Sequence, residues 1–122
     1  MKTFLLLGVV NGFLVVALGA FGAHGLEGKI SENALKTWEK AVNYQMFHTM
    51  ALLGTGLLMT TIKSSSLTWA GWFFFIGIIL FSGSLYVYST TGIKALAMIT
   101  PFGGITFLIG WIILGYTIIS QI

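Results

Sequence analysis

The side chains able to carry acid–base or ligand chemistry in this chain are few: His24 and His48, with Glu27, Glu32 and Glu39. Two histidines with a carboxylate can begin a zinc site, and two histidines on opposite sides of one plane can ligate a haem iron. Neither pattern is complete. A zinc site wants three or four ligands, and His24 and His48 fall at different depths of different helices. There is no cysteine, which removes disulfides, thiolate metal sites and cysteine nucleophiles together. No phosphate-binding loop, nucleophile elbow, HExxH or GxGxxG is present. No metal or cofactor is therefore expected. The densest polar set lies in AVNYQMFHTMALLGTG, where Tyr44, Gln45, His48 and Thr55 fall on one side of a helix. At membrane depth such a set marks either a hydrogen-bonded core, a substrate or ion path, or a lipid-headgroup contact. A second candidate is interfacial, His24 with Glu39. His24 stands in GAFGAHGL, where a close-packed segment meets the polar sequence, and a bond from it to a helix end or to Glu39 is expected.

The elements that hold these residues follow from composition. Of 122 residues, 57% are hydrophobic and 7% charged, against about 25% charged in a soluble domain. Six lysines and three glutamates cannot cover a soluble globule of this size. The apolar residues come in blocks long enough to cross a bilayer, at about 20 residues per helix. The fold class expected is an all-α membrane protein, a bundle of four transmembrane helices in a single domain over residues 1–122. Spans are expected at about 3–23, 41–62, 67–89 and 101–120, with an amphipathic interfacial stretch at 31–40 leading into the second. In that stretch Ser31 is a good N-cap and Glu32 suits the positive end of the helix dipole. Glu32, Lys36, Glu39 and Lys40 share one side and Ala34, Leu35, Trp38 and Ala41 the other. A continuous helix from Ser31 to Ile62 would be about 48 Å long, more than the roughly 30 Å hydrocarbon core. Thr100 and Pro101 are read as an N-cap and first-turn pair, leaving KALAMI as a turn or two at the interface. The first segment, TFLLLGVVNGFLVVALGAFGA, is longer than a signal-peptide core and is read as a retained helix.

Small residues supply the packing signal. Gly8, Gly12, Gly19 and Gly22 make a stripe on the first helix, and close approach of helix backbones in lipid needs such a face. The stripe suits packing inside the bundle or self-association. Asn11 borders it and is expected to bond a neighbouring helix, because an unpaired buried amide is costly. Gly77 and Ser84 on the third helix and Gly104 and Gly115 on the fourth are read as further crossing points. Lys29, Lys36, Lys40 and Lys94 flank the first and third loops, and Lys2 and Lys63 the other side, so the positive-inside rule places both termini outside. A net charge of +3 spread over several loops makes no nucleic-acid surface. The lipid bilayer is the expected partner, with a second copy or another membrane protein.

Four ordered blocks carry a resemblance: GAFGAHGL (19–26), W-x-x-A-V-x-Y-Q-x-x-H-x-x-A-L (38–52), G-x-x-L-F-S-G-S-L-Y (77–86) and ITPFGG with GW (99–111). Together they resemble the small bacterial membrane proteins grouped as domain of unknown function 423, relatives of transmembrane protein 256. The resemblance implies a four-helix protein of the bacterial cytoplasmic membrane and brings no activity, substrate or cofactor. Two function classes stay open. One is a non-enzymatic membrane protein acting by helix packing or association. The other is a small oligomeric transporter or channel for a small solute or ion, using the polar set of the second helix. A lipid-acting enzyme using His24, His48 and Glu39 is the weaker third.

Overall fold

The computed structural model describes residues 2–122, and these are helical nearly throughout, with no strand among them. Helix α1 runs from Lys2 to Phe21 and continues through a π-helical turn, Gly22–Leu26. Gly28, at φ 80°, turns the chain. Helix α2 spans Glu32–Leu58, and its Ser31 cap accepts a hydrogen bond from the Ala34 amide at 3.1 Å. Helix α3 spans Ser65–Thr91 and contains a π-helical segment, Ile78–Gly83. Gly92, at φ 71°, ends α3 in the left-handed conformation that a glycine C-cap provides. Helix α4 runs from Lys94 to Gln121.

The fourth helix departs from the sequence expectation. KALAMI is its first part, and Pro101 lies inside it rather than at its start. Proline removes one N–H from the helical ladder, a loss that neighbouring helices and Ser/Thr side chains can absorb inside a membrane bundle. Thr100, expected as a cap, instead makes a helix crossing: its hydroxyl meets the Ser84 hydroxyl of α3 at 2.7 Å and donates to the Leu96 carbonyl at 3.4 Å. At 28 residues the helix is about 42 Å long. The second helix is shorter than expected, because residues 59–62 form turns beyond Leu58.

Three helices, α1 with its π turn, α3 and α4, are long and apolar enough to cross a membrane. Their outward residues are apolar: Val9, Phe13 and Val16 on α1, and Leu108, Ile112 and Ile119 on α4, are 62–85% exposed. Ridges of this kind are an aggregation liability in water and are at ease in hydrocarbon. Helix α2 misses this criterion because of its own composition. Its first turns carry Glu32, Lys36, Glu39 and Lys40, all exposed, and its later turns carry Gln45 and His48, both buried.

The core forms where α1, α2 and α3 meet α4, around Phe4, Leu52, Leu67, Phe74 and Phe107. The glycine stripe of α1 is turned toward α2. A Cβ at Gly8 would lie 2.7 Å from Leu53 Cγ, Gly12 lies beside Thr49, Gly19 beside Val42, and Gly22 beneath the Trp38 indole. Gly77 of α3 sits beneath the Phe107 ring. On α4 the inward face is Gly103, Phe107, Gly110, Leu114 and Thr117. Gly104 and Gly115, read from the sequence as crossing points, lie with Leu108 and Trp111 on a face rotated from it by one residue. Both faces open on a glycine and step along the helix at the same intervals, so spacing could not choose between them. A Cβ on Gly104 would stay 3.9 Å from the Phe81 ring, and one on Gly115 would meet nothing within 4 Å. Gly115→Leu should accordingly leave the thermal unfolding of the purified protein unchanged. Gly77→Leu, overpacked against Phe107, should cost about 1–3 kcal/mol. Heating each variant in detergent and measuring the fraction that remains monodisperse tests the pair.

Candidate functional site

The polar set of α2 divides into three environments. Gln45 points toward α1 and α3. Its Nε2 donates to Asn11 Oδ1 at 2.9 Å, and its Oε1 accepts from the Tyr86 hydroxyl at 2.6 Å. Asn11 Nδ2 in turn donates to the Leu7 carbonyl at 2.8 Å. One amide therefore ties three helices together. Asn11 and Gln45 are each 4% exposed. Nearby bonds reinforce the same junction: Ser82 Oγ donates to the Ala41 carbonyl at 2.7 Å, and Trp38 Nε1 to the Leu18 carbonyl at 2.9 Å. The Trp38 ring meets Tyr86 edge-on, with centroids 4.6 Å apart.

His48 points instead toward α4. Its Nδ1 lies 2.8 Å from the Tyr44 carbonyl, and its Nε2 lies 3.0 Å from the indole nitrogen of Trp111. A carbonyl only accepts and an indole N–H only donates. Both bonds form together for one state of the ring, with Nδ1 protonated and Nε2 bare. The imidazole also lies flat on Phe107, with centroids 3.5 Å apart and planes 7° apart. His48→Gln cannot reproduce this donor, acceptor and stacked face at once. It should cost about 1–3 kcal/mol, read as earlier thermal unfolding with a changed Trp111 emission.

Thr55 is fully buried, and its hydroxyl donates to the Ala51 carbonyl at 2.8 Å within its own helix. Tyr44 is 44% exposed, with its ring against Phe81 at 4.5 Å. So the four residues do not converge on one cavity. No buried side-chain nitrogen or oxygen among the described residues lacks a hydrogen-bond partner.

The interfacial pair is also separate. His24 lies in the π turn and Glu39 on α2, and both are exposed. Glu39 lines a small groove of about 160 Å³ with Gly19, Gly22, Ala23 and Trp38, and His24 is not among its lining residues. Among the described residues no three of His, Cys, Asp and Glu come together as metal ligands would.

Tyr86 and Trp111, absent from the candidate set read from the sequence, complete the two polar networks. The i, i+4 spacing of Ser82 and Tyr86 was the available signal, since it puts two hydroxyls on one face of α3.

Two lipid-side recesses adjoin these networks. One, of about 490 Å³, lies between α2 and α4 and is lined by Tyr44, His48, Phe81, Phe107 and Trp111 among others. The other, of about 410 Å³, lies between α1 and α3 with Asn11, Gln45 and Tyr86 along it.

An all-helical chain with three membrane-length apolar helices, outward apolar ridges and inward polar networks is built as a membrane protein. The comparisons with known proteins name the group. Residues 18–104 match the family model described as protein of unknown function (DUF423), and the chain belongs to that family. It is 55% identical to the UPF0382 membrane protein SAB0533 of Staphylococcus aureus (strain bovine RF122 / ET3-1), over 93% of each chain. It is 50% identical to the UPF0382 membrane protein YwdK of Bacillus subtilis (strain 168), over 93% of this chain and 94% of the relative. No solved structure matches.

Proposed function

We propose that this chain is a four-span, non-enzymatic protein of the bacterial cytoplasmic membrane that acts by association within the bilayer, with itself or with another membrane protein. One observation carries the reading. Among the described residues every buried polar side chain finds its partners within the chain, several of them on a neighbouring helix, while α1 and α4 turn long apolar ridges outward. The glycine stripe is taken up by α2, so association uses the outer ridges. Single cysteines at Phe13 on α1 and Ile112 on α4, oxidised in native membranes, should give a disulfide-linked dimer or a defined adduct. Monomer alone from both positions sinks the reading.

The fourth span is α2. Its stretch from residue 41 to 58 holds no charge, and of the polar groups that lower its hydropathy Gln45, His48, Thr49 and Thr55 are buried, while Asn43 and Tyr44 are exposed. Labelling distinguishes the topologies, because the chain has no native cysteine. Four spans put cysteines at positions 2 and 63 on one face of the membrane and those at 29 and 94 on the other. Three spans, with α2 on the surface, would put 63 with 29. The lysine distribution orients positions 2 and 63 outward.

The transport reading rests on the recess that reaches His48 between α2 and α4. Under it, His48→Gln abolishes a solute flux at normal expression. Under association, any phenotype of that variant follows the amount of folded protein.

A further inference from the structure

We propose that His48 is a proton-operated latch between α2 and α4, closed while its Nε2 is bare and opened when that nitrogen takes a proton. The ring is held at both nitrogens. Nδ1 lies 2.8 Å from the Tyr44 carbonyl and Nε2 lies 3.0 Å from the Trp111 indole nitrogen. The carbonyl has no proton to give, and the indole N–H cannot accept one. A neutral imidazole satisfies both only with its proton on Nδ1. A second proton, on Nε2, sets two N–H groups against each other across the 3.0 Å gap. Among the described residues, this is the side-chain hydrogen bond that joins α2 to α4.

The surroundings confine the change to the indole. The imidazole lies on the Phe107 ring at 3.5 Å. An imidazolium gains cation–π attraction from such a face, so His48 keeps its seat. Trp111 is 36% exposed at the edge of the recess of about 490 Å³ that His48 also lines. It is free to turn where a buried ring is not. The same recess gives a proton its way in, with the exposed Asn43 and Tyr44 leading to it from the charged start of α2.

No neighbouring charge competes for control of the ring. The side chains stacked around it are Tyr44 and Phe47 of α2, Phe74 of α3, and Phe107 and Trp111 of α4. Helix α3 has no charged residue, α4 has Lys94 as its first residue, and α1 has Lys2. On α2 the nearest carboxylate is Glu39, about 14 Å back along the helix at 1.5 Å per residue. The other titratable groups of α3 and α4 are Tyr86, bonded to Gln45, with Tyr88 and Tyr116. Phenols keep their protons on acidification.

The test uses the full chain in phosphatidylglycerol–phosphatidylcholine vesicles, labelled with nitrogen-15 in histidine and tryptophan. Solid-state NMR follows the ring nitrogens from about pH 8 to about pH 4, a range that brackets ordinary histidine titration. His24→Asn and Trp111→Phe assign the signals. At neutral pH, His48 should carry its proton on Nδ1 alone. On acidification Nε2 should gain one, and the Trp111 indole signal should move with the same midpoint while the other indoles and the helical content stay unchanged. In Trp111→Phe the bond that favours a bare Nε2 is gone, so the midpoint should move about one pH unit toward neutrality. If that variant does not fold, Trp111→Leu serves in its place. A neutral ring protonated on Nε2 overturns the proposal, as does a His48 that stays neutral to the acid limit. So does an unchanged Trp111 signal while His48 titrates, movement of all indoles together, or an unshifted midpoint in the Trp111 variant.

Discussion

Gly103→Leu should separate α4 from α3, with a loss of stability of about 3 kcal/mol or more. At Gly103 the two backbones are in contact. A Cβ there would lie 2.8 Å from both the Leu80 carbonyl carbon and Phe81 Cα. Side chains can change rotamer to admit a methyl group, but a helix backbone can only move as a body, so the cost exceeds ordinary overpacking. The contact falls within the π segment of α3, Ile78–Gly83, where the helix is locally wider. Separating the helices there would also pull Phe107 from His48 and Gly77, and Thr100 from Ser84. Helical content by circular dichroism should persist, because each helix satisfies its own backbone in lipid. Thermal stability in detergent should collapse. Gly104→Leu, one residue on, is the control and should be tolerated. Equal stability of the two variants would remove Gly103 from its role as the closest point of the bundle.

Gln45→Leu should have the next largest effect, about 2–4 kcal/mol. The substitution keeps the volume but strands the buried Asn11 Oδ1, worth roughly 1–3 kcal/mol when left without a partner, and the partly buried Tyr86 hydroxyl. Hydrogen bonds between membrane helices are often worth less than this, because the separated helices find other partners. The decisive measurement is therefore non-additivity. Asn11→Leu and Tyr86→Phe each remove one end of the chain of bonds. The triple variant Asn11→Leu, Gln45→Leu, Tyr86→Phe removes every partner and should recover much of the lost stability. If the three losses simply add, the groups do not act as one network.

Much of the architecture was legible in the residues. The helical class, the membrane setting, the Ser31 cap and the charged outer face of residues 31–40 follow from composition, capping chemistry and a 3.6-residue period. These are local properties, and the chain carries them whatever its neighbours do. The close-packed stripe on α1 was legible for the same reason, since four glycines at helical spacing make a groove in any packing.

Other features depended on partners far away in sequence. The period puts Tyr44, Gln45, His48 and Thr55 on one broad side of α2. It cannot tell that Gln45 meets Asn11 and Tyr86 while His48 meets Trp111. Gly103 and Gly104 are indistinguishable by spacing, and only the approach of α3 selects the first. Pro101 reads locally as a helix start, yet it lies inside α4, where the neighbouring Thr100 meets Ser84 of α3. By itself, then, the sequence determined which segments are helices and that they belong in lipid, because hydrophobicity and capping act within a few residues. The tertiary structure alone decided which polar group faces which, because a hydrogen bond across helices depends on their rotation and depth, which no single helix encodes.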